Sequence, residues 1–381
     1  MPVTKHYLSH EAIHKALRMA DLTEVCDPPH AVRLMVKDLL AGMVRLGWPL
    51  AEVHKGPRIV SVAQSFDLLG YSLEEQAQMT AGGHWLDEEL LLRTQTGSAT
   101  ALALQSAALR REPQESVVLA APGITFHRSR RDRWHCAEPH QLDIWILGDA
   151  HLSNRRDLLR LVNDVLSVGV PGRAWAHGER AHPATEGGMA VTLMTRERPV
   201  EVLEAGCIAR SLLQRLDIDP ALHGGLFISL ALDRLVMVRK GIPDIRLLRD
   251  AHPRVQAQML DLRPWQPVSR QPPVTRDLSL AVEPGLSELT FTEQALRIAG
   301  YRASWIEELS VKGRWSFDEL PAATIERLGI VRGQENLILR VVLRDHAQSI
   351  TVQQAQALFD DILSALHRGV PGGGHRVGER A

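Results

Sequence analysis

The chain has 381 residues, with 44 Lys and Arg against 45 Asp and Glu, so its formal net charge is −1. This length suits about two to three domains, each large enough to bury its own core. The balance excludes a strongly basic nucleic-acid coat and an acidic solvating tail, although a local basic groove remains compatible with it. Cys26, Cys136 and Cys207 have no metal-ligand spacing and are odd in number, which favours a reducing compartment over a disulfide framework.

The amino-terminal segment is polar with a helical period and lacks the apolar stretch of a signal peptide. The sequence also has no run of about 18 apolar residues, so it predicts no membrane span and a cytoplasmic location. His135 and His140 flank Cys136, but no fourth ligand is visible, and we expect no structural metal.

Two segments show apolar residues at helical spacing, at 29–46 and 158–166, and are predicted to be amphipathic helices. Between and after them lie short apolar runs that are predicted to be strands, at 117–120, 144–147, 189–194 and 200–203. Strands with polar insertions and few regular helices between them indicate an α+β domain with a largely antiparallel sheet.

Four prolines fall within residues 263–273, where they exclude a helix or a central strand. We interpret this segment as a linker between a domain at 1–262 and a second domain at 274–370, followed by a flexible tail at 371–381. The second domain is predicted to run strand, helix, strand, strand, helix at 277–282, 287–299, 304–311, 336–344 and 351–366. This order is the ferredoxin-like βαββα(β) pattern, which a last strand would close.

Sequence motifs occur in four segments: LLRTQTGSA at 91–99, GITFHRSRRDRWHCAEPHQLD at 123–143, VEVLEAG at 200–206, and GGLFISLALDRLVMVRKGIPDIRLLR at 224–249. In order and approximate spacing they resemble phenylalanyl-tRNA synthetases, a family of class II aminoacyl-tRNA synthetases. VTRDLSLAV at 274–282 is similar to the opening strand of that family's ferredoxin-fold anticodon-binding domain. A chain with both parts resembles the single-chain organellar architecture, and the resemblance covers about residues 30–370.

The resemblance implies a class II synthetase antiparallel sheet flanked by helices, plus the ferredoxin-like domain. It also implies that ATP and Mg²⁺ activate phenylalanine or a related amino acid to an aminoacyl-adenylate, and that the acyl group passes to tRNA in protein biosynthesis. The helix at 29–46 resembles the dimer-forming first motif of class II enzymes, which makes it a candidate homodimer surface.

Three residues on the nucleotide side take their roles from the resemblance. Arg234 occupies the adenine-stacking position and is a catalytic and ATP-binding candidate. Glu201 and Glu204 are candidate contacts of the Mg²⁺–ATP complex, although either could instead pair with an arginine.

The α-phosphate position departs from the family pattern. Adenylation needs a cation on that phosphate, yet His127 stands where the family has its arginine and Ser129 where it has Glu or Asp. Arg128 could replace the missing arginine only through a slip or a bulge, because adjacent strand residues face opposite sides. His127 and Arg128 are therefore both catalytic candidates, and Arg128 is also an ATP-binding candidate.

Gln141 and Asp143 are two apart in a strand-like run, so both face one side. They are candidates to hold the α-ammonium of the amino acid, or else they are polar residues of a half-exposed strand. Asp132 and His135 could order the loop of the 123–143 motif, which precedes Gln141 and Asp143. Further candidates for the amino-acid site are Gln95, Ser98, His135 and Phe227.

Further departures from the family suggest a diverged paralogue: Gln95 replaces a histidine, Gly97 a serine, and Ser229 and Ala231 replace glycines. Residues 270–370 carry 11 Lys and Arg against 13 Asp and Glu, without the basic footprint usual for tRNA binding. Three functions therefore remain open. The chain could be a tRNA synthetase, an adenylating ligase that passes an amino acid to a carrier protein or small molecule, or a non-catalytic regulatory paralogue.

Overall fold

The computed structural model describes residues 5, 7–81, 83–97, 100–110, 112, 114–128, 132–268, 272–345 and 348–369. The described residues form two compact units. The first draws on residues 1–128, 137–243 and 256–265, and the second on 129–136, 244–255 and 266–381. This division does not follow the predicted boundaries at 262 and 274, because two earlier segments group with the second unit. Ser98, Ser129 and the predicted tail at 371–381 lie outside the described residues.

The frame of the first unit is a seven-stranded sheet. Its strands are β1 (Ala51–Val53), β4 (Val117–Ile124), β5 (His140–Asp149), β6 (Trp175–Glu179), β7 (Thr185–Met194), β8 (Pro199–Ile208) and β9 (His223–Ala231). Their spatial order is β1-β4-β5-β9-β8-β7-β6, in which only β1 and β4 pair in parallel. Two short strands, β2 (Ile59–Ser61) and β3 (Leu90–Leu92), form a separate antiparallel pair. The predicted, largely antiparallel sheet is therefore confirmed, and all four predicted strand runs lie within its strands.

Helices accompany this sheet. They are α1 (His10–Arg18), α2 (Ala31–Arg45), α3 (Leu73–Ala81), α4 (Ala101–Arg110), α5 (Arg155–Gly169), α6 (Arg210–Arg215) and α7 (Leu232–Lys240), and a one-turn helix α8 (Pro253–Gln256) follows. α2 packs on α5 and α7, whereas α4 packs on β4 and β5. The two predicted helices are confirmed as α2 and part of α5, and they bury the apolar side that their spacing predicts. No helix in the described ranges is long and apolar enough to cross a membrane.

The second unit contains an antiparallel sheet in the order β10-β12-β11, with β10 (Val274–Val282), β11 (Ile306–Ser316) and β12 (Glu335–Leu343). Its helices are α9 (Glu288–Ala299), α10 (Ala322–Leu328) and α11 (Val352–Leu366). The strands and helices predicted here are present with ends shifted by a few residues, and α10 was not predicted. The last strand of the ferredoxin-like pattern would follow residue 369, outside the described residues, and stays a prediction.

Side-chain caps explain where the two long helices of the second unit begin. Ser287 accepts a hydrogen bond from the Thr290 amide at the start of α9. The Thr351 side chain accepts one from the Gln354 amide, and the Gln354 side-chain oxygen accepts one from the Thr351 amide. This capping box pairs two amides that the first turn of a helix would otherwise leave without partners.

We expect Thr351→Ala to weaken the start of α11 by about 1 kcal/mol, since it removes the cap. Amides of residues 352–366 should then exchange with solvent about fivefold faster in native-state hydrogen exchange. The exposed neighbour Gln353→Ala is the matched control and should leave exchange nearly unchanged. Equal exchange in the two variants would show that the cap contributes nothing.

Candidate active site

Polar side chains form a row across the middle of the large sheet. Asp143 on β5 lies opposite Ser229 on β9, and Ser229 lies opposite Glu204 on β8. Gln141, two residues before Asp143, shares its face and donates from Nε2 to Asp143 Oδ1 (2.9 Å) and to Ser229 Oγ (2.6 Å). We call Gln141, Asp143, Ser229 and Glu204 the polar row.

Burial dominates the electrostatics of this row. Asp143 is only 1% exposed, and burial raises its pKa to about 6, even though hydrogen bonds from Ser229 and Gln141 act in the opposite direction. Burial also raises the pKa of Glu204, while the nearby Arg180 lowers it. A carboxylate as deeply buried as Asp143 favours a compensating cation, and the α-ammonium of an amino acid has the required charge and donors.

Arg180 joins the two glutamates that the sequence proposed for the Mg²⁺–ATP complex. Its Nη2 lies 2.6 Å from Glu201 Oε2, and its Nε lies 3.5 Å from Glu204 Oε1. Arg234, in the first turn of α7, donates from Nη1 to the Glu201 carbonyl oxygen at 3.0 Å. The structure thus gathers the three predicted ATP-side residues, and it adds an arginine that sequence reasoning missed.

A buried contact fixes α7 against β5. Asp233 accepts from the His140 backbone amide (2.9 Å) and contacts His140 Nδ1 (2.8 Å), and His140 Nε2 accepts from the Leu22 amide (3.1 Å). An imidazole that bonds a carboxylate at one nitrogen and accepts at the other carries its proton on Nδ1. His140 and Asp233 each precede a candidate residue, Gln141 and Arg234, so this contact sets the distance between the two halves of the site.

The hairpin that extends β4 and β5 places His127 and Arg128. The Thr125 amide donates to Pro139 O and the His127 amide to Ala137 O, both at 2.8 Å, in the register set by Ile124 opposite His140. This pairing continues without a bulge as far as His127, which puts His127 on the face of Gly123. If the same alternation extends one residue further, we expect Arg128 to lie on the opposite face. Burial lowers the pKa of His127 to about 4, so His127 is neutral at pH 7.

Gln95 lies among buried side chains and uses both ends of its amide there. Its Nε2 donates to Ser65 O at 2.7 Å, and its Oε1 accepts from the Tyr71 hydroxyl at 3.0 Å. The same hydroxyl contacts His182 Nε2 at 3.1 Å. Sequence reasoning missed Ser65, Tyr71 and His182, which come together from distant segments with no local pattern.

The remaining predicted residues occupy different environments. Phe227 lies on the face of the polar row and packs on Trp145. His135 pairs with Asp132 at 2.7 Å in the segment that groups with the second unit. Over the ranges that the structure describes, no three His, Cys, Asp or Glu side chains converge as metal ligands.

Comparison with known proteins finds a family match: residues 24–259 fit the tRNA synthetases class II core domain (F). Phenylalanine–tRNA ligase alpha subunits from Haemophilus ducreyi and Hamiltonella defensa are 26% and 27% identical over 57% of this chain. The matched region spans 63% of the length of each relative, which is less than two thirds. The alpha subunit from Lacticaseibacillus casei is 24% identical over 61% of this chain and 69% of its own.

Two solved structures of pyrrolysyl-tRNA synthetase from Desulfitobacterium hafniense are also similar. Their sequence identities are 15% and 14%, over 57% and 58% of this chain and 72% and 74% of theirs, with TM-scores of 0.44 and 0.46.

We expect Asp233→Ala to destabilise the first unit by about 2–5 kcal/mol, because it leaves two buried donors of His140 without an acceptor. Asp233→Asn keeps one acceptor oxygen and should lose roughly half as much. Urea unfolding measures both variants against Asp38→Ala, an exposed aspartate of α2. If Asp233→Ala and Asp38→Ala unfold at the same urea concentration, the contact does not hold α7 in place.

Asp143 gives a pH-dependent stability. Its pKa is raised from 3.8 to about 6 on folding, so the folded protein binds more protons than the unfolded chain between about pH 4 and 6. Asp143 therefore does not lower the free energy of unfolding below about pH 4. As the pH rises through 6, the buried carboxyl ionises and the free energy of unfolding falls. Asp143→Asn should gain about 2–3 kcal/mol over the wild type between pH 4 and pH 7.

Unfolding midpoints at pH 4 and pH 7 measure this gain, with Asp38→Asn as the exposed control. A pH-independent difference between Asp143→Asn and the wild type would contradict the raised pKa.

Proposed function

Because its residues 24–259 match the family, the chain belongs to the class II tRNA synthetase core family, and we propose that it activates an amino acid with ATP. The carboxylate of the amino acid attacks the α-phosphate, pyrophosphate leaves, and the acyl group passes from the adenylate to tRNA. The observation that carries the proposal is the polar row, whose buried Asp143 and oriented Gln141 suit an α-ammonium group. Phenylalanine or a related amino acid is the substrate that the sequence resemblance implies.

The nucleotide side of the proposal rests on the group around β8. Arg234 is oriented by the Glu201 carbonyl, and its guanidinium would stack on adenine. Mg²⁺ typically takes one or two carboxylates and completes its shell with phosphate oxygens and water, so Glu201 and Glu204 fit the ion that accompanies ATP. Bound Mg²⁺ would supply positive charge to the phosphates. Glu201 and Glu204 would then exchange their contacts with Arg180 for contacts with the ion.

Neutral His127 predicts a slow first step. The α-phosphate gains charge in the transition state, and a single missing donor in a comparable site costs about 3–4 kcal/mol, or 10²–10³ in rate. Arg128 is expected on the opposite face of the chain by alternation, where it would not replace the charge. Slow activation is consistent with the diverged paralogue that the sequence suggested.

The acceptor is proposed to be tRNA, held in part by a ferredoxin-fold anticodon-binding domain in the same chain. The near-neutral charge of residues 270–370 favours a second candidate, transfer to a carrier protein or a small molecule. A homodimer through residues 29–46 completes the proposal. Val44 and Leu46 at the end of this segment, and Leu50 and Val53 shortly after it, are exposed and apolar, as an interface requires.

Pyrophosphate exchange across a panel of amino acids, followed by tRNA aminoacylation, tests the proposal. Exchange together with charged tRNA supports the synthetase, whereas exchange without charging supports the ligase with another acceptor. A folded protein that shows neither reaction is the non-catalytic paralogue.

We expect His127→Arg to raise the exchange rate by about 10–100-fold, since it restores a cation on the face of the polar row. Arg128→Ala is the matched control and should change the rate little, because Arg128 faces away. A larger loss in Arg128→Ala than gain in His127→Arg would reverse the assignment of the two residues.

A further inference from the structure

Aromatic side chains stand directly beside the polar row. Trp145 follows Asp143 by two residues on β5, and Phe227 precedes Ser229 by two residues on β9, so both share the face of the polar row. The two lie opposite each other in the sheet register, and their ring centroids are 4.3 Å apart. Both are buried, with exposures of 1% and 4%.

Two more rings extend this surface. His182 lies 5.3 Å from Phe227 and Tyr71 lies 5.7 Å from His182, measured between ring centroids. We call Trp145, Phe227, His182 and Tyr71 the aromatic wall.

Hydrogen bonds fix two side chains of the aromatic wall, those of Tyr71 and His182. The Tyr71 hydroxyl contacts both His182 and Gln95, and Gln95 is tied to the Ser65 backbone. Burial lowers the pKa of His182 to about 4, so the ring stays neutral and compatible with its aromatic neighbours. The close packing of the rings and the hydrogen bonds of Tyr71 and His182 resist displacement by an entering side chain. The indole Nε1 of Trp145 is buried without a hydrogen-bond partner among the described residues.

Gly97 closes the gap between the polar row and the aromatic wall. A Cβ placed on Gly97 would lie 3.0 Å from Asp143 Oδ2 and 3.8 Å from the Trp145 ring. The Gly97 backbone amide donates a hydrogen bond to Asp143, and even a methyl group at position 97 would crowd the carboxylate. An amino acid whose ammonium binds Asp143 would therefore lie near the Gly97 backbone and near the rings of Trp145 and Phe227.

We propose that the aromatic wall limits the amino-acid site to small side chains, of the size found in glycine, alanine and serine. This inference rests on the proposed function, because it assumes that the polar row holds the ammonium. The space beyond Asp143, where a large side chain would extend, is occupied by Trp145 and Phe227. A phenylalanine ring could enter only by displacing one of them, so the geometry points away from phenylalanine towards smaller relatives.

The test compares pyrophosphate exchange with glycine, alanine, serine, leucine and phenylalanine. We expect the wild type to prefer alanine over phenylalanine by about 100-fold or more in kcat/KM, since pocket size alone discriminates by about 10–200-fold per methylene. Phe227→Ala and the milder Phe227→Leu enlarge the space. They should reduce this preference by about tenfold or more, with the larger change in Phe227→Ala.

Phe359→Leu is the matched control, because Phe359 is an equally buried phenylalanine in the core of the second unit. It should lower the melting temperature without changing the order of substrates. If Phe227→Ala does not fold, the wild type and Phe227→Leu still decide the question.

Calorimetric binding of the same amino acids without ATP separates the two proposals. Alanine that binds without exchange supports the size limit and contradicts adenylation. Wild-type exchange with phenylalanine at least as efficient as with alanine overturns the size limit but leaves adenylation standing. If none of the five amino acids binds or supports exchange, the polar row is not an amino-acid site and the inference is wrong.

Discussion

The arrangement of the candidate site depends on one buried contact, the one between His140 and Asp233. It joins the first residue of β5 to the first turn of α7 through two hydrogen bonds. A third hydrogen bond runs from the Leu22 amide to His140 Nε2. Each partner is followed by a residue of the site, Gln141 or Arg234. A shift of this contact would therefore change the distance between the amino-acid and nucleotide sides at once. Because both partners are buried and paired, the contact resists such a shift.

The buried charge of the polar row is energetically unfavourable, and a bound cation would reduce this electrostatic free energy. Asp143 is buried with its pKa raised to about 6, and neutral hydrogen bonds compensate its charge only in part. A cation bound there would lower that pKa again and recover the cost, so the same burial that weakens the free protein strengthens ammonium binding. Glu204 differs because Arg180 lies beside it and partly offsets the effect of burial on its pKa. In the proposed site, the two carboxylates of one row would thus have separate tasks, one for the amino acid and one beside the nucleotide.

Local patterns predicted much of this molecule, and long-range contacts account for the rest. Apolar spacing found α2 and α5, and period-two alternation correctly put Gln141 and Asp143 on one face. Alternation cannot say which residue a neighbouring strand sets opposite Asp143, because that depends on the register of β9. Arg180 was missed for a related reason, since it follows β6 and its two partners lie on β8, two strands away in the sheet.

In the proposed site, the departures from the family pattern at the two ends share a physical logic. At the phosphate end, burial makes His127 neutral and removes a charge that would stabilise the transition state. At the amino-acid end, Trp145 and Phe227 fill volume that a large substrate would use to gain binding energy. A small amino acid gains little from apolar contact, so its recognition must come almost wholly from the ammonium and carboxylate groups. In the proposed site, recognition would therefore depend most on the buried, partly compensated Asp143.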